Sequence, residues 1–171
     1  TALALGVQPV GASDWLGFGG EGVGPWAEGL YDEAPEIIET LEPSLEAIAA
    51  LEPDLILDTD PDAAEKVKEL KSLAGGRAIA VSEEGKSGWT WQQQLAFIAE
   101  ALGAKDRAAA VTKTFEGRIT ALRSAHPEFS GKKIDVVHYD GTSTKLASRS
   151  SNALQLLGQL GFSAWPFNLG F

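Results

Sequence analysis

The chain has 171 residues with a formal net charge of −10 and an isoelectric point near 4.6; 44% of its residues are hydrophobic and 22% charged. That length suffices for one domain or two small lobes with a buried core, and the acidic balance argues against nucleic acid, whose binders carry a basic footprint. Cysteine is absent, which excludes disulfides, thiolate zinc sites and cysteine nucleophiles, and no apolar run approaches the roughly 20 residues of a membrane span.

Residues 1–6, TALALG, read as the end of a helix, with Leu3 and Leu5 closing a turn and Gly6 as its C-cap. So abrupt a start implies a missing N-terminal segment. Residues 7–12 read as a short strand, with Pro9 near its start or at an edge. Residues 13–42 read as irregular: Gly17, Gly19, Gly20, Gly22, Gly24 and Gly29 alternate with Trp15, Phe18, Trp26 and Tyr31. A loop of this length inside a compact domain is functional or disordered, and its aromatics favour function. The period then changes within SLEAIAALEPDLILD, residues 44–58. Leu45, Ile48, Ala49 and Leu51 recur at helical spacing behind Pro43. Pro53 stops the helix, and the consecutive apolar Leu55, Ile56 and Leu57 predict a strand covered on both faces. Asp60 and Asp62 cap a further helix to about Leu73, Gly75 and Gly76 end it, and residues 77–81 form the next strand. Helix and strand alternating through short connections predict a parallel sheet with crossover helices. Ligands of such sheets gather at the carboxyl ends of the strands, here residues 13–15, 58–60 and 82–89.

A helix over 89–102, ended by Gly103, precedes a longer one over 106–125. The longer helix carries the stripe Ala108, Val111, Phe115, Ile119 and Leu122, with Pro127 just past its end. Residues 134–139 read as a strand, Asp140-Gly-Thr as a turn, 145–147 as a strand paired with the first, and Asn152 as the cap of a helix to Gly158 or Leu160. The chain then reaches Phe171 with no return strand or terminal helix, so half of a second lobe is expected to be absent. ALALGVQPVGASDWLGFGG and LLGQLGFSAWPFNLGF share an order of helix, glycine, short apolar strand, tryptophan and Gly-Phe. Two lobes of similar build would produce that echo, as would chance.

Catalytic motifs are wanting: there is no Walker A sequence and no Gly-x-Ser-x-Gly elbow. Residues 17–22, GFGGEG, follow a strand without opening a helix, which makes a poor dinucleotide site. His126 reads as a helix C-terminal residue favoured by the dipole before it reads as a metal ligand, and His138 as a strand histidine before a base. Asp58, Asp60 and Asp62 lack the glycine and terminal glutamate of a calcium loop; helix capping accounts for them better. All five tryptophans, Trp15, Trp26, Trp89, Trp91 and Trp165, fall in or beside predicted loops. Indoles at strand ends suit a ligand wall; the plainer reading is that some close the loops over the core, and Trp91 also begins a helix. Arg149, in ASRSS, can pair with a carboxylate, phenolate or hydroxamate oxygen or be an ordinary solvated arginine.

TALALGVQPVGASDW, EPSLEAIAALEPDLIL, WTWQQQLAFIAEALGAKDRAAAV and ASRSSNALQLLGQLGF, in that order over nearly the whole chain, resemble the iron-siderophore class of substrate-binding proteins of ABC transporters. Cobalamin- and haem-binding members share the architecture. The resemblance implies a two-lobed α/β fold with parallel sheets and a single long interlobe helix, here truncated at both ends. Residues 1–104 would be the N-terminal lobe, 105–126 the interlobe helix and 127–171 a partial C-terminal lobe. It implies a cleft lined by Trp15, Trp26, Thr59 and Trp89 on one side and Tyr139, Arg149, Trp165 and Phe167 on the other. The tryptophans would stack on the faces of the ligand, and Arg149 would offset negative charge. Iron would be held by its chelator, so neither a cofactor nor a protein metal ligand is expected. The family's first-lobe carboxylate that docks with the permease falls on Glu46, which also reads as an ordinary N-terminal helix glutamate; its second-lobe counterpart belongs to a region not contained here. The implied function is non-enzymatic: binding a ferric siderophore outside the cytoplasm, in the periplasm or as a lipoprotein whose anchor is absent here, and delivering it to an ABC permease. The alternatives are cobalamin or haem in the same fold, with Tyr139 and His138 as axial candidates, a small α/β enzyme using Asp58 and Asp60, or aromatics that simply pack.

Overall fold

Regular structure begins with the turn that the first six residues predict. Leu3–Leu5 is a 3-10 turn closed by Gly6 at φ 70°, a left-handed geometry that glycine adopts without steric penalty. The computed structural model describes residues 1–14, 23–38, 44–59, 69, 78–81, 89–139, 141–149 and 151–165. The chain divides into two compact units, Thr1–Ser87 with Gln93–Ala108, and Gly88–Gln92 with Ala109–Phe171.

In the first unit, strand β1 (Gly11–Ala12) pairs parallel with β2 (Glu36–Ile37), Gly11 opposite Glu36 and Ala12 opposite Ile37. Strand β2 lies in the segment that the sequence reads as irregular; two residues are too few to show an alternation. The ladder continues through Glu36 N–H to the Val10 carbonyl at 3.0 Å and Ile38 N–H to the Ala12 carbonyl at 3.1 Å. Gln8 holds the approach to β2 with both ends of its amide: Nε2 donates to Asp32 Oδ2 at 3.0 Å and Oε1 accepts from Asp32 N–H at 3.1 Å. Between the strands, Pro25–Ala27 makes a second 3-10 turn.

Helix α1 (Leu45–Ala50) is opened by Ser44, whose Oγ accepts from Ala47 N–H at 3.2 Å, satisfying one of the donors that a helix start leaves unpaired. It ends at Leu51, two residues short of Pro53. Strand β3 (Leu55–Asp58) follows and pairs parallel with β4 (Ala78–Val81), in register from Leu55–Ala78 to Asp58–Val81. The parallel pairing that the alternating pattern predicts is present. Strand β3 is half-buried along its length, less enclosed than three consecutive apolar residues suggest. The helix expected from Asp60 to Leu73 lies outside the described residues apart from Glu69, as does Pro43.

Helix α2 (Trp91–Ala101) buries Leu95, Ile98 and Ala99, the i, i+3, i+4 stripe of an amphipathic helix. Gly103 at φ 64° turns the chain into α3 (Lys105–Ala125). The buried apolar residues of this unit also include Leu5, Ala27, Ala104 and Ala108. From α3, Arg107 Nη1 donates to the carbonyls of Leu5 at 2.7 Å and Gly6 at 3.3 Å.

In the second unit, the stripe of α3 continues with Val111, Phe115 and Ile119 half-buried and thins out at Leu122, which is 48% exposed. After a 3-10 turn at Pro127–Phe129, the single strand expected over 134–139 is two. Strand β5 (Lys133–Ile134) pairs parallel with β8 (Ser163–Ala164), whereas β6 (Val137–Tyr139) pairs antiparallel with β7 (Thr144–Leu146). The strand breaks at Asp135 and Val136 because its two halves serve different partners. Strand β8 stands where the internal echo puts a short apolar strand, and it corrects the expectation that none returns after the last helix. That helix, α4 (Asn152–Gln159), is capped by Ser151, whose Oγ accepts from Leu154 N–H at 3.3 Å. The cap is therefore Ser151, and Asn152 is the first helical residue.

Candidate functional site

In the first unit, Trp26 sits in the Pro25–Ala27 turn and is 72% exposed. Its indole lies over the backbone of Gly24, where a Cβ would collide with three atoms of the ring. Glycine here leaves the space beside the main chain that the ring occupies. Thr59 is exposed and directly follows β3, at the carboxyl end of a parallel pair, where α/β sheets take their ligands. Glu46 is exposed in the first turn of α1, and its Oε2 accepts from Ser44 Oγ at 3.3 Å. Trp15 lies outside the described residues, as do Asp60 and Asp62.

In the second unit, Trp89 is half-buried with its indole nitrogen shielded from solvent. Its carbonyl accepts from Asn152 Nδ2 at 3.5 Å, and two residues on, Trp91 N–H donates to Asn152 Oδ1 at 3.2 Å. The Trp91 ring meets Phe115 edge-on, centroids 4.7 Å apart and planes at 63°, the favoured quadrupole geometry; it anchors the start of α2. The β6–β7 register puts Val137, Tyr139, Thr144 and Leu146 on one face of the hairpin and His138 and Lys145 on the other. Tyr139 is 66% exposed, and its hydroxyl donates to the Gly141 carbonyl at 2.8 Å. Arg149 is exposed in the turn between β7 and α4. Trp165 is 49% exposed, and its N–H donates to the Ile134 carbonyl at 3.0 Å, carrying the β5–β8 ladder one residue further. Phe167 lies outside the described residues.

The end of α3 is organised differently. His126 Nδ1 and Glu128 Oε1 are 2.9 Å apart, the His126 ring stacks on Phe129 at 4.8 Å, and Phe129 stacks on Phe162 at 4.6 Å. The hydrogen bond from His126 holds the Glu128 carboxyl below its ordinary range. Beside them runs an open groove of about 700 Å³ lined by Glu116, Thr120, Arg123, His126, Ser130 and Gln159. Among the described residues, none of those expected to line a ligand site borders it. Among the described residues no group of three or more His, Asp or Glu side chains could hold a metal ion. Sequence reasoning missed Asn152 and Gln8 as loop-holding amides; their partners are 61–63 and 24 residues away, so no local pattern could have disclosed them.

Three parallel strand pairs, β1–β2, β3–β4 and β5–β8, together with the four helices described above, make this an α/β chain. Residues 4–168 match the periplasmic binding protein family, and the chain belongs to it. It is 32% identical over 167 residues to a Bacillus subtilis (strain 168) protein named "Probable siderophore-binding lipoprotein YfiY"; the match takes in 94% of this chain and 47% of YfiY, so the chain spans about half the length of that relative. Among solved structures, it is similar to a periplasmic solute binding protein from Mycobacterium smegmatis str. MC2 155, with a TM-score of 0.80, 29% identity, and coverage of 96% of this chain and 58% of that one. PiaA from Streptococcus pneumoniae TIGR4, solved in complex with ferrichrome, superposes with a TM-score of 0.74 at 24% identity, covering 96% of this chain and 58% of PiaA. At that identity the likeness speaks for the fold alone.

Proposed function

We propose that the chain belongs to the extracytoplasmic solute-binding component of an ABC importer and contributes to binding a ferric siderophore, without catalysing a reaction. The observation that carries this reading is the 32% identity to YfiY across 94% of the chain. Trp26, Tyr139 and Trp165 support it, because each exposes much of a ring on a turn or strand end, where it can meet the flat face of an aryl or chelate group. On this reading Trp15, Trp26, Thr59, Trp89, Tyr139, Arg149, Trp165 and Phe167 line the site, and Arg149 offsets anionic oxygens. The iron stays on its chelator, and Glu46 meets an arginine of the permease. Residues 1–104 and 127–171 form the two lobes, with 105–126 as the helix between them.

Haem is the weaker ligand for this chain. The Tyr139 hydroxyl donates to the Gly141 carbonyl, and His138 lies on the opposite face of the hairpin, so the two axial candidates do not converge.

The test is a titration of tryptophan emission in the full-length protein with ferric trihydroxamate, tricatecholate and carboxylate chelates, with N-acetyltryptophanamide as the inner-filter control. The expected result is saturable quenching by one class, weakened roughly tenfold by Trp26→Ala, since an aromatic contact is worth up to about 1.5 kcal/mol. Unchanged emission across all three classes would sink the proposal, and a Soret shift on adding haem would replace siderophore by haem.

A further inference from the structure

We propose that Asn152 is a positioning residue for ligand binding: its carboxamide spans the turn at Trp89–Trp91 and fixes how Trp89 is presented. The inference rests on the reading above, in which Trp89 lines the site. Three observations carry it. First, Asn152 makes a two-point contact with one short segment, Oδ1 accepting from Trp91 N–H at 3.2 Å and Nδ2 donating to the Trp89 carbonyl at 3.5 Å. A side-chain amide supplies a donor and an acceptor in one rigid plane, so a bridge of this kind sets the path of the backbone between the two tryptophans.

Second, Asn152 is spared the local duty that its residue type performs. Ser151 caps α4, which leaves the Asn152 side chain to reach the other segment. Trp91 is the first residue of α2, and the early N–H groups of a helix have no partner within it. Asn152 supplies one from 61 residues away.

Third, the bridged segment is held by a second contact. The Trp91 ring packs edge-on against Phe115 of α3. With Trp91 anchored by its ring and the backbone pinned at both ends by one amide, Trp89 is left with little freedom to reorient. Pre-organisation of this kind raises affinity by removing an ordering loss on binding.

Asn152→Asp separates positioning from plain stabilisation. The carboxylate can still accept from Trp91 N–H, but it cannot donate to the Trp89 carbonyl. A negative charge in the first turn of α4 is favoured by the helix dipole, so the melting temperature is expected to stay level or rise. In the full-length protein, the ferric chelate that quenches the wild type best is expected to bind Asn152→Asp roughly tenfold more weakly, the scale of one lost hydrogen bond in a bound state. In a Trp89→Phe background the same substitution is expected to add little, because Asn152 acts through Trp89. Wild-type affinity in Asn152→Asp, or additive losses in the double variant, would overturn the proposal while leaving the siderophore reading intact. A wild type that binds none of the three chelate classes overturns the reading and this role together. Amide exchange at Trp91 checks the bridge without ligand: Asn152→Ala is expected to speed it, and an unchanged rate would refute the tether itself.

Discussion

Ser44 and Ser151 perform the same task at two helix starts, each accepting from the N–H three residues on, at 3.2 Å and 3.3 Å. Replacing either by alanine is expected to reduce unfolding free energy by about 1 kcal/mol, read as a shift in the urea midpoint at constant slope. Ser44 also donates to Glu46, so Ser44→Ala frees the carboxylate proposed to dock. At the end of α3, Glu128 is hydrogen-bonded to His126. The Glu128 carboxyl is held below its ordinary value of 4.5, chiefly by the hydrogen bond from His126. A depressed acid contributes stability above its unfolded pKa and loses it as pH falls through its folded value; the loss therefore belongs below pH 4.5. Carboxyl carbon NMR should show the Glu128 titration moving up towards the ordinary value in His126→Ala. A titration that does not move would remove His126 as the cause.

At the level of elements, the first turn of the chain is tied to α3 by a single arginine. Arg107 donates to the Leu5 and Gly6 carbonyls, acceptors that the end of that 3-10 turn leaves without a partner inside the turn. Arg107→Ala is expected to destabilise by about 1 kcal/mol. Gly6→Ala should do similar harm, because φ is 70° and a Cβ would stand 2.6 Å from Arg107 Nη1. Since both act on one contact, the double variant should lose less than the sum of the two in equilibrium unfolding; strict additivity would show that the arginine does not act there. Helices α1 to α4 were legible in the sequence because such stripes are local: in α2, Leu95, Ile98 and Ala99 are three or four residues apart, and all are buried. The parallel pair β3–β4 was legible because an apolar run bounded by proline and aspartate needs nothing remote to define it. Strand β2 and the break between β5 and β6 were not, because strands of two or three residues exist only by virtue of the strand they pair with.

For the chain as a whole, charge sets a condition on the proposed ligand. With a net charge of −10, the chain repels an anionic chelate once the two approach to within a Debye length, about 8 Å at physiological salt. Raising salt from about 10 mM to 150 mM is therefore expected to strengthen binding of an anionic ferric chelate severalfold and to leave a neutral one unchanged, as read from paired titrations. Weakening of the anionic chelate by salt would mean that local cations such as Arg149 outweigh the overall charge. The candidate site was legible only in part. The tryptophans stood out because indoles in glycine-rich loops serve no helical stripe, and Trp26 is exposed as that placement suggests. Trp91 resolved to packing against Phe115.

Read alone, the residues determined helices α1 to α4 to within two residues at their ends, the β3–β4 order and the family resemblance. All of these depend on side chains within a few positions of one another, where periodicity and turn chemistry act. Only the tertiary structure decided that Ser151 rather than Asn152 caps α4, that residues 133–139 split between two sheets, and that one asparagine holds a tryptophan turn 61 residues away. Hydrogen bonds of that reach depend on where the backbone arrives in space, and spacing along the chain carries no record of it.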